Sequence, residues 1–234
     1  MIENVDKYAD VPVYHVTGWY DSWCRQNTLN WMALSKAKKS PQFLIIGPWT
    51  HGKQREPFAG EVEFPPEAAL DFNAWRKRWY DRWLAGIDNG IEKEAPVKLF
   101  IMGGGSGRKT KDGRLMHGGH WRDEKSFPLE RTQFTPYYLH ADGTLSPSKP
   151  ASAEAKSTTL TYDPRDPVPS IGGNISSFAG ILEPGGYDQR CRPTTAFATN
   201  ELHLSERRDV LVFQTEPLKE DLEATGPIEV KLHV

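Results

Sequence analysis

Two residues stand where a proton-transfer site could be built. Asp21 closes Gly18-Trp19-Tyr20-Asp21, and His51 closes Gly47-Pro48-Trp49-Thr50-His51. A histidine works as a general base when it titrates near neutrality and is held in one tautomer. An acidic partner on its other ring nitrogen does both. The plainer readings are that Asp21 only caps a helix N-terminus and that His51 is an ordinary loop histidine. Spacing alone leaves both pairs of readings open.

Other candidates carry less. Gly103 to Thr110 (GGGSGRKT) approaches the phosphate-loop pattern G-x-x-x-x-G-K-[ST], but Arg108 stands where the second glycine is required. Lys111-Asp112-Gly113 then follows instead of a helix. With Arg108, Lys109, Lys111 and Arg114, this stretch reads as a solvated loop. His117 and His120 flank two glycines with no third ligand nearby, so no metal site is expected. Asn174-Ile175-Ser176 is a glycosylation sequon by pattern only, and Asp81-Arg82 reads as a surface ion pair worth little. Cys24 and Cys191 form no CxxC pair, which excludes a disulfide scaffold and a cysteine zinc site.

The elements that would position Asp21 and His51 are legible. Val11 to Thr17 (VPVYHVT) is a β-like run ending at Gly18. Asp21 to Lys38 holds no Pro or Gly and reads as a helix, with Pro41 just beyond it. Gln42 to Gly47 (QFLIIG) is almost wholly apolar, as in a strand buried on both faces of a parallel sheet. Strand, helix, strand makes a βαβ unit with a right-handed crossover. It brings Asp21 and His51 to the carboxyl ends of neighbouring strands, where open α/β sheets build their sites. Pro65-Pro66 opens a second helix with the stripe Ala68, Phe72, Trp75, Trp79 and Trp83 and a cap at Gly86. Val97 to Met102 is a third strand.

The 234 residues divide by composition. All eight Trp precede residue 122, whereas 11 of the 18 Pro fall at or after Pro128. The boundary lies between Phe127 and Thr132. Beyond it, Tyr137 to Leu139, Leu160 to Tyr162, Val210 to Gln214 and Ile228 to Val234 are short extended runs separated by turn-formers, the pattern of a β-sandwich or jelly roll. The expected architecture is therefore α/β over residues 1–131 and all-β over residues 132–234. With 29 basic and 31 acidic residues the net charge is -2, so no positive field draws in nucleic acid. No run of about 18 apolar residues suggests a membrane span, and the first 20 residues show no signal peptide.

Longer segments narrow the reading. VPVYHVTGWYDSW, FLIIGPWTHG and WRKRWYDRWLAG resemble the CocE/NonD hydrolase family, which includes cocaine esterase and the X-Pro dipeptidyl-peptidases. YDPRDPVPSIGG, GGYDQR and DVLVFQTEPL look like that family's C-terminal jelly roll. The resemblance runs in order along nearly the whole chain. It implies a serine hydrolase of esters, amides or peptides, with no cofactor and no metal. On the matching motifs it makes Asp21 the acid and His51 the base of a Ser-Asp-His triad, an order suited to α/β-hydrolases. Trp23 matches a position that carries an acyl-pocket aromatic in relatives; otherwise it is an apolar residue facing the core from a first helical turn.

The sequence departs from the pattern in one respect. It contains no G-x-S-x-G elbow, and Ser106, in Gly104-Gly105-Ser106-Gly107-Arg108, follows the acid and base instead of preceding them. The chain is thus expected to be the C-terminal fraction of an α/β-hydrolase domain plus an incomplete jelly roll, inactive alone because the nucleophile lies upstream. A jelly roll can also mediate self-association into a homo-oligomer. The alternative is a non-catalytic β-sandwich binding module with a helical appendage. That module would need exposed aromatics on its β part, yet every Trp lies outside it.

Overall fold

The computed structural model describes residues 2–151, 157–175 and 181–233. It divides into two compact units. The first comprises Met1–Glu130 and Gly172–Tyr187; the second comprises Arg131–Ile171 and Asp188–Val234.

The first unit is organised by β1 (Val13–Tyr20), α1 (Cys24–Ala37) and β2 (Gln42–Thr50). β1 and β2 are parallel neighbours from Val13 opposite Gln42 to Gly18 opposite Gly47, as the βαβ pattern predicts. Every residue of β2 is buried, which explains a strand with no polar face. Each such aliphatic side chain contributes about 1.5–3 kcal/mol on burial. Helix α1 buries Thr28, Trp31 and Leu34 at helical spacing, and the Trp31 indole N–H donates to the Gln42 carbonyl at 3.1 Å. The helix starts three residues later than expected, because Asp21 and Ser22 belong to the turn that enters it.

β2 does not stop at Gly47. Two steps along β1, from Gly18 to Tyr20, match three along β2, from Gly47 to Thr50, so the ladder carries a bulge. The bulge accommodates Pro48, which has no N–H to give a central strand. It also buries Trp49 completely, with its indole N–H on the Ala68 carbonyl at 2.7 Å. The approach is close: a Cβ on Gly18 would stand 2.1 Å from the Trp49 carbonyl oxygen.

The remainder of the unit covers this sheet. β3 (Phe58–Ala59) and β4 (Val62–Glu63) form a small antiparallel pair. Helix α2 (Phe72–Trp83) begins later than its stripe suggests. Ala68 lies in a preceding 3-10 turn, Pro66–Ala68, and the Asp71 side chain caps the helix by accepting from the Ala74 N–H at 3.2 Å. Trp75 and Trp79 pack edge-on against Tyr14, with centroids 4.2 and 5.4 Å apart. β5 (Val97–Ile101) lies parallel beside β2. After β6 (Leu115–Met116), which pairs with β4, comes β7 (His120–Glu124), antiparallel to β5. The main sheet order is β1-β2-β5-β7. Trp31, Leu44, Ile46, Val97, Leu99, Phe127 and Leu129 form one core cluster, and Ala59, Val62, Phe64, Ala68 and Phe100 form a second. Asp81 and Arg82 are not each other's partners: Lys77 pairs with Asp81 at 2.6 Å, and Arg82 with Glu92 at 3.0 Å.

In the second unit, β8 (Tyr138–Leu139) and β9 (Leu145–Ser146) form a hairpin. Its turn is held by the Thr144 N–H on the Asp142 carboxylate at 2.9 Å. The described residues form no jelly-roll ladders. Leu160 to Tyr162 carries no strand, and Val210 to Gln214 contributes one bridge, from Gln214 to Thr144. Ile228, Val230 and Leu232 are largely exposed, and among the described residues this run joins no ladder; Val234 lies outside the described residues. The buried Arg207 guanidinium holds the Asp209 carboxylate at 2.8 and 2.7 Å and donates to the Asp166 carbonyl at 2.8 Å. Two aspartates around one planar cation suit the guanidinium fork.

Candidate active site

The bulged register fixes where the chain leaves both strands. Tyr20 pairs with Thr50, so the next residue on each chain, Asp21 and His51, emerges side by side at the carboxyl ends of β1 and β2. His51 Nδ1 lies 3.2 Å from each carboxylate oxygen of Asp21. A carboxylate, when ionised, only accepts, so a neutral imidazole facing it in this way carries its proton on Nδ1 and its lone pair on Nε2.

The two side chains differ in environment. Asp21 is buried, at 4% exposure, and a buried carboxylate requires partners. Besides His51 it has the Trp23 backbone N–H, which donates to Oδ1 at 2.9 Å. The local turn is closed by the Asp21 N–H on the Gly18 carbonyl and the Cys24 N–H on the Asp21 carbonyl, both at 3.0 Å. Asp21 is therefore not the helix cap; that position falls on Trp23, which caps without its side chain. The His51 side chain is 70% exposed. A fixed acid and an accessible imidazole on one axis can hold one tautomer, take a proton at Nε2 and stabilise the cation that results.

The surrounding residues fall into place around this pair. Trp23 is 57% exposed, which removes the reading that it faces the core. Cys24 opens α1 beside Asp21, and burial followed by the Asp21 charge pushes its thiol up to about 11, against a hydrogen bond with Thr17 that acts the other way. That thiol stays protonated and is no nucleophile near neutral pH.

The other sequence candidates are not drawn in. Ser106 sits on an exposed loop, where its hydroxyl accepts from the Arg108 N–H at 3.2 Å. The N–H groups of Gly105 and Ser106 donate to the carbonyls of His117 and Met116, both at 3.0 Å, so they are spent within the loop instead of converging on a phosphate. His120 begins β7 opposite Ile101, and no cluster of His, Cys, Asp and Glu that could hold a metal occurs among the described residues. Ser176 of the sequon lies outside the described residues. Sequence reasoning misses the Trp23 N–H as the second anchor of Asp21; the signal is an aspartate two residues before the residue that caps a helix, a side chain suited to bonding the backbone two residues on.

Comparison with known proteins gives this geometry a context. Residues 89–234 match the family described as the X-Pro dipeptidyl-peptidase C-terminal non-catalytic domain, and residues 1–53 match X-Pro dipeptidyl-peptidase (S15 family). The chain is 30% identical over 237 residues to cocaine esterase from Rhodococcus sp. (strain MB1 Bresler), a match covering 95% of this chain and 35% of that protein. The chain thus spans about a third of the length of this relative. Among solved structures, a CocE/NonD family hydrolase from Staphylococcus aureus aligns at a TM-score of 0.45 and 17% identity, over 61% of this chain and 22% of the other. An aminopeptidase from a marine sediment archaeon, Thaumarchaeota archaeon, aligns at 0.41 and 18%, over 60% and 21%.

Proposed function

Because the chain belongs to the CocE/NonD family of hydrolases, with that family's X-Pro dipeptidyl-peptidase C-terminal domain over residues 89–234, we propose that it forms part of a serine hydrolase cleaving ester or amide bonds, X-Pro dipeptide bonds among them. Asp21 and His51 are the acid and base of its Ser-His-Asp triad. The serine is supplied from outside these 234 residues, since they contain no G-x-S-x-G elbow. The observation that carries the reading is the two-oxygen contact of Asp21 with His51 Nδ1 at 3.2 Å.

Each residue then has one task in the reaction. Nε2 of His51 takes the proton of the serine hydroxyl as its oxygen attacks the substrate carbonyl. Asp21 keeps Nδ1 protonated and balances the imidazolium. His51 then delivers its proton to the departing alcohol or amine, and the acyl group remains on the serine. A water molecule, deprotonated by the same Nε2, attacks the acyl carbon and regenerates the hydroxyl. The exposed Trp23 indole, two residues beyond the acid, offers an apolar wall for the acyl group. Residues 89–234 match a domain described as non-catalytic, which favours a supporting role for that part.

The test joins the missing serine to the pair. In the protein extended upstream to include a G-x-S-x-G segment, a fluorophosphonate probe should label that serine and aryl esters should be hydrolysed, and His51→Ala should abolish both. Full labelling and turnover in His51→Ala would exclude it as the base.

A further inference from the structure

We propose that the Gly185–Tyr187 turn, which lies in the part of the chain matching the non-catalytic domain, is a positioning element for the Asp21–His51 pair, acting through Tyr20; this rests on the assignment of that pair as acid and base.

The turn belongs to the first unit although it comes from the second half of the sequence. It is fixed by backbone bonds on two sides. The Gly186 N–H donates to the Ala59 carbonyl at 3.1 Å, and its carbonyl accepts the Glu61 N–H at 2.8 Å. Gly185 exchanges bonds of 2.9 and 2.7 Å with Gly173. The turn is thus held against β3 and β4.

From there it reaches the site in one step. A Cβ on Gly186 would stand 2.8 and 2.9 Å from the two Val62 methyls and 3.2 Å from the Tyr20 hydroxyl. Val62 leaves no room for a methyl group there, and the Tyr20 hydroxyl would have to give by a few tenths of an ångström. Tyr20 also packs on the Ala59, Val62, Phe64, Ala68 and Phe100 cluster, and this burial raises its phenol pKa, which keeps it a neutral, fixed strut. Tyr20 is bonded to Asp21 through the chain and is paired with Thr50, the residue before His51. A shift of Tyr20 moves the carboxylate and the imidazole relative to each other, and the turn sets where Tyr20 rests. Tyr20 and Gly186 are positioning residues; neither touches substrate.

The readout is the His51 tautomer, which a purely structural role would leave unmoved as long as the fold persists. Nitrogen-15 spectra of the 234-residue chain at pH 9, above the ordinary histidine range of about 6.5, with His51 assigned by His51→Gln, should show a single Nδ1–H form. Gly186→Ala is expected to convert it to a mixture of tautomers. Because the added methyl also meets Val62, Gly186→Ala/Val62→Ala makes room on that side and should fold while still showing the mixture. Adding Tyr20→Phe, which vacates the hydroxyl's place, should restore the single form. The double variant keeping the native tautomer would overturn the proposal. Asp21→Asn separates the two levels. If it also leaves the tautomer unchanged, the Asp21–His51 reading itself fails; if it produces the mixture while the Gly186 variants do not, only the role of the turn fails.

Discussion

The Asp21 carboxylate presents both oxygens to His51 Nδ1 at the same distance, 3.2 Å. This symmetry leaves the imidazole oriented by the plane of a buried group instead of by a single bond. The pairing of Tyr20 with Thr50 is what delivers the two side chains to one place.

In the protein extended to include its serine, His51→Ala is expected to lower kcat by roughly 10⁴–10⁶, and Asp21→Asn by about 10⁴. Steady-state kinetics on an aryl ester, with a thermal melt alongside, checks both values. The exposed His51 should leave the melt almost unmoved.

The 234 residues alone are expected to show no acyl-enzyme chemistry. Ser106 makes its hydrogen bond within its own exposed loop. Fluorophosphonate labelling of the isolated chain, compared with Ser106→Ala, measures this; labelling that Ser106→Ala removes would contradict the assignment.

Gly18→Ala should be strongly destabilising, by roughly 3 kcal/mol or more, because the new Cβ would meet the Trp49 carbonyl at 2.1 Å in a backbone that cannot swing aside. Urea unfolding gives the loss directly. The same variant should spread the His51 resonances, since Gly18 also accepts the Asp21 N–H.

Cys24 should alkylate slowly. A thiol raised from 9.0 to about 11 has on the order of 100-fold less thiolate at pH 7.5. Iodoacetamide kinetics in a Cys191→Ser background report it, and Asp21→Asn should speed the reaction by removing the adjacent negative charge.

Stability should fall on acidification through His15. This histidine is buried on β1, and burial lowers its pKa below 6.5 despite a hydrogen bond with Gln42. The unfolded chain therefore takes up a proton at about pH 6.5 that the folded chain refuses. Stability is complete above that pH and declines below it until the lowered folded value is reached. Urea midpoints between pH 8 and 5, with and without His15→Gln, test the slope; the variant should flatten it.

The parts of the fold that are legible in the sequence share a cause. A βαβ unit has periodicities that survive in any context, so β1, α1, β2 and the placement of Asp21 and His51 follow from apolar runs and from Pro41. The extension of β2 to Thr50 is hidden, because Pro48 argues against a central strand unless a bulge removes the need for its N–H. Ala68 shares the spacing of the α2 stripe yet belongs to an earlier turn, since the Asp71 cap overrides periodicity. β7 leaves no signal because HWRDE has no apolar alternation; its place is set by β5. The β-branched runs of the second unit predict strands, but short runs become strands only when partners cover them, and Ile228, Val230 and Leu232 have solvent instead.

The first unit is discontinuous in the sequence, closing only when Gly172–Tyr187 joins Met1–Glu130. A ribosome making about 5–20 residues per second takes several seconds to pass from Glu130 to Tyr187. During that interval β3 and β4 exist without the turn that seats on them. If the turn positions the Asp21–His51 pair as proposed, that geometry is completed late on the nascent chain, after residues 131–171 of the second unit have been made.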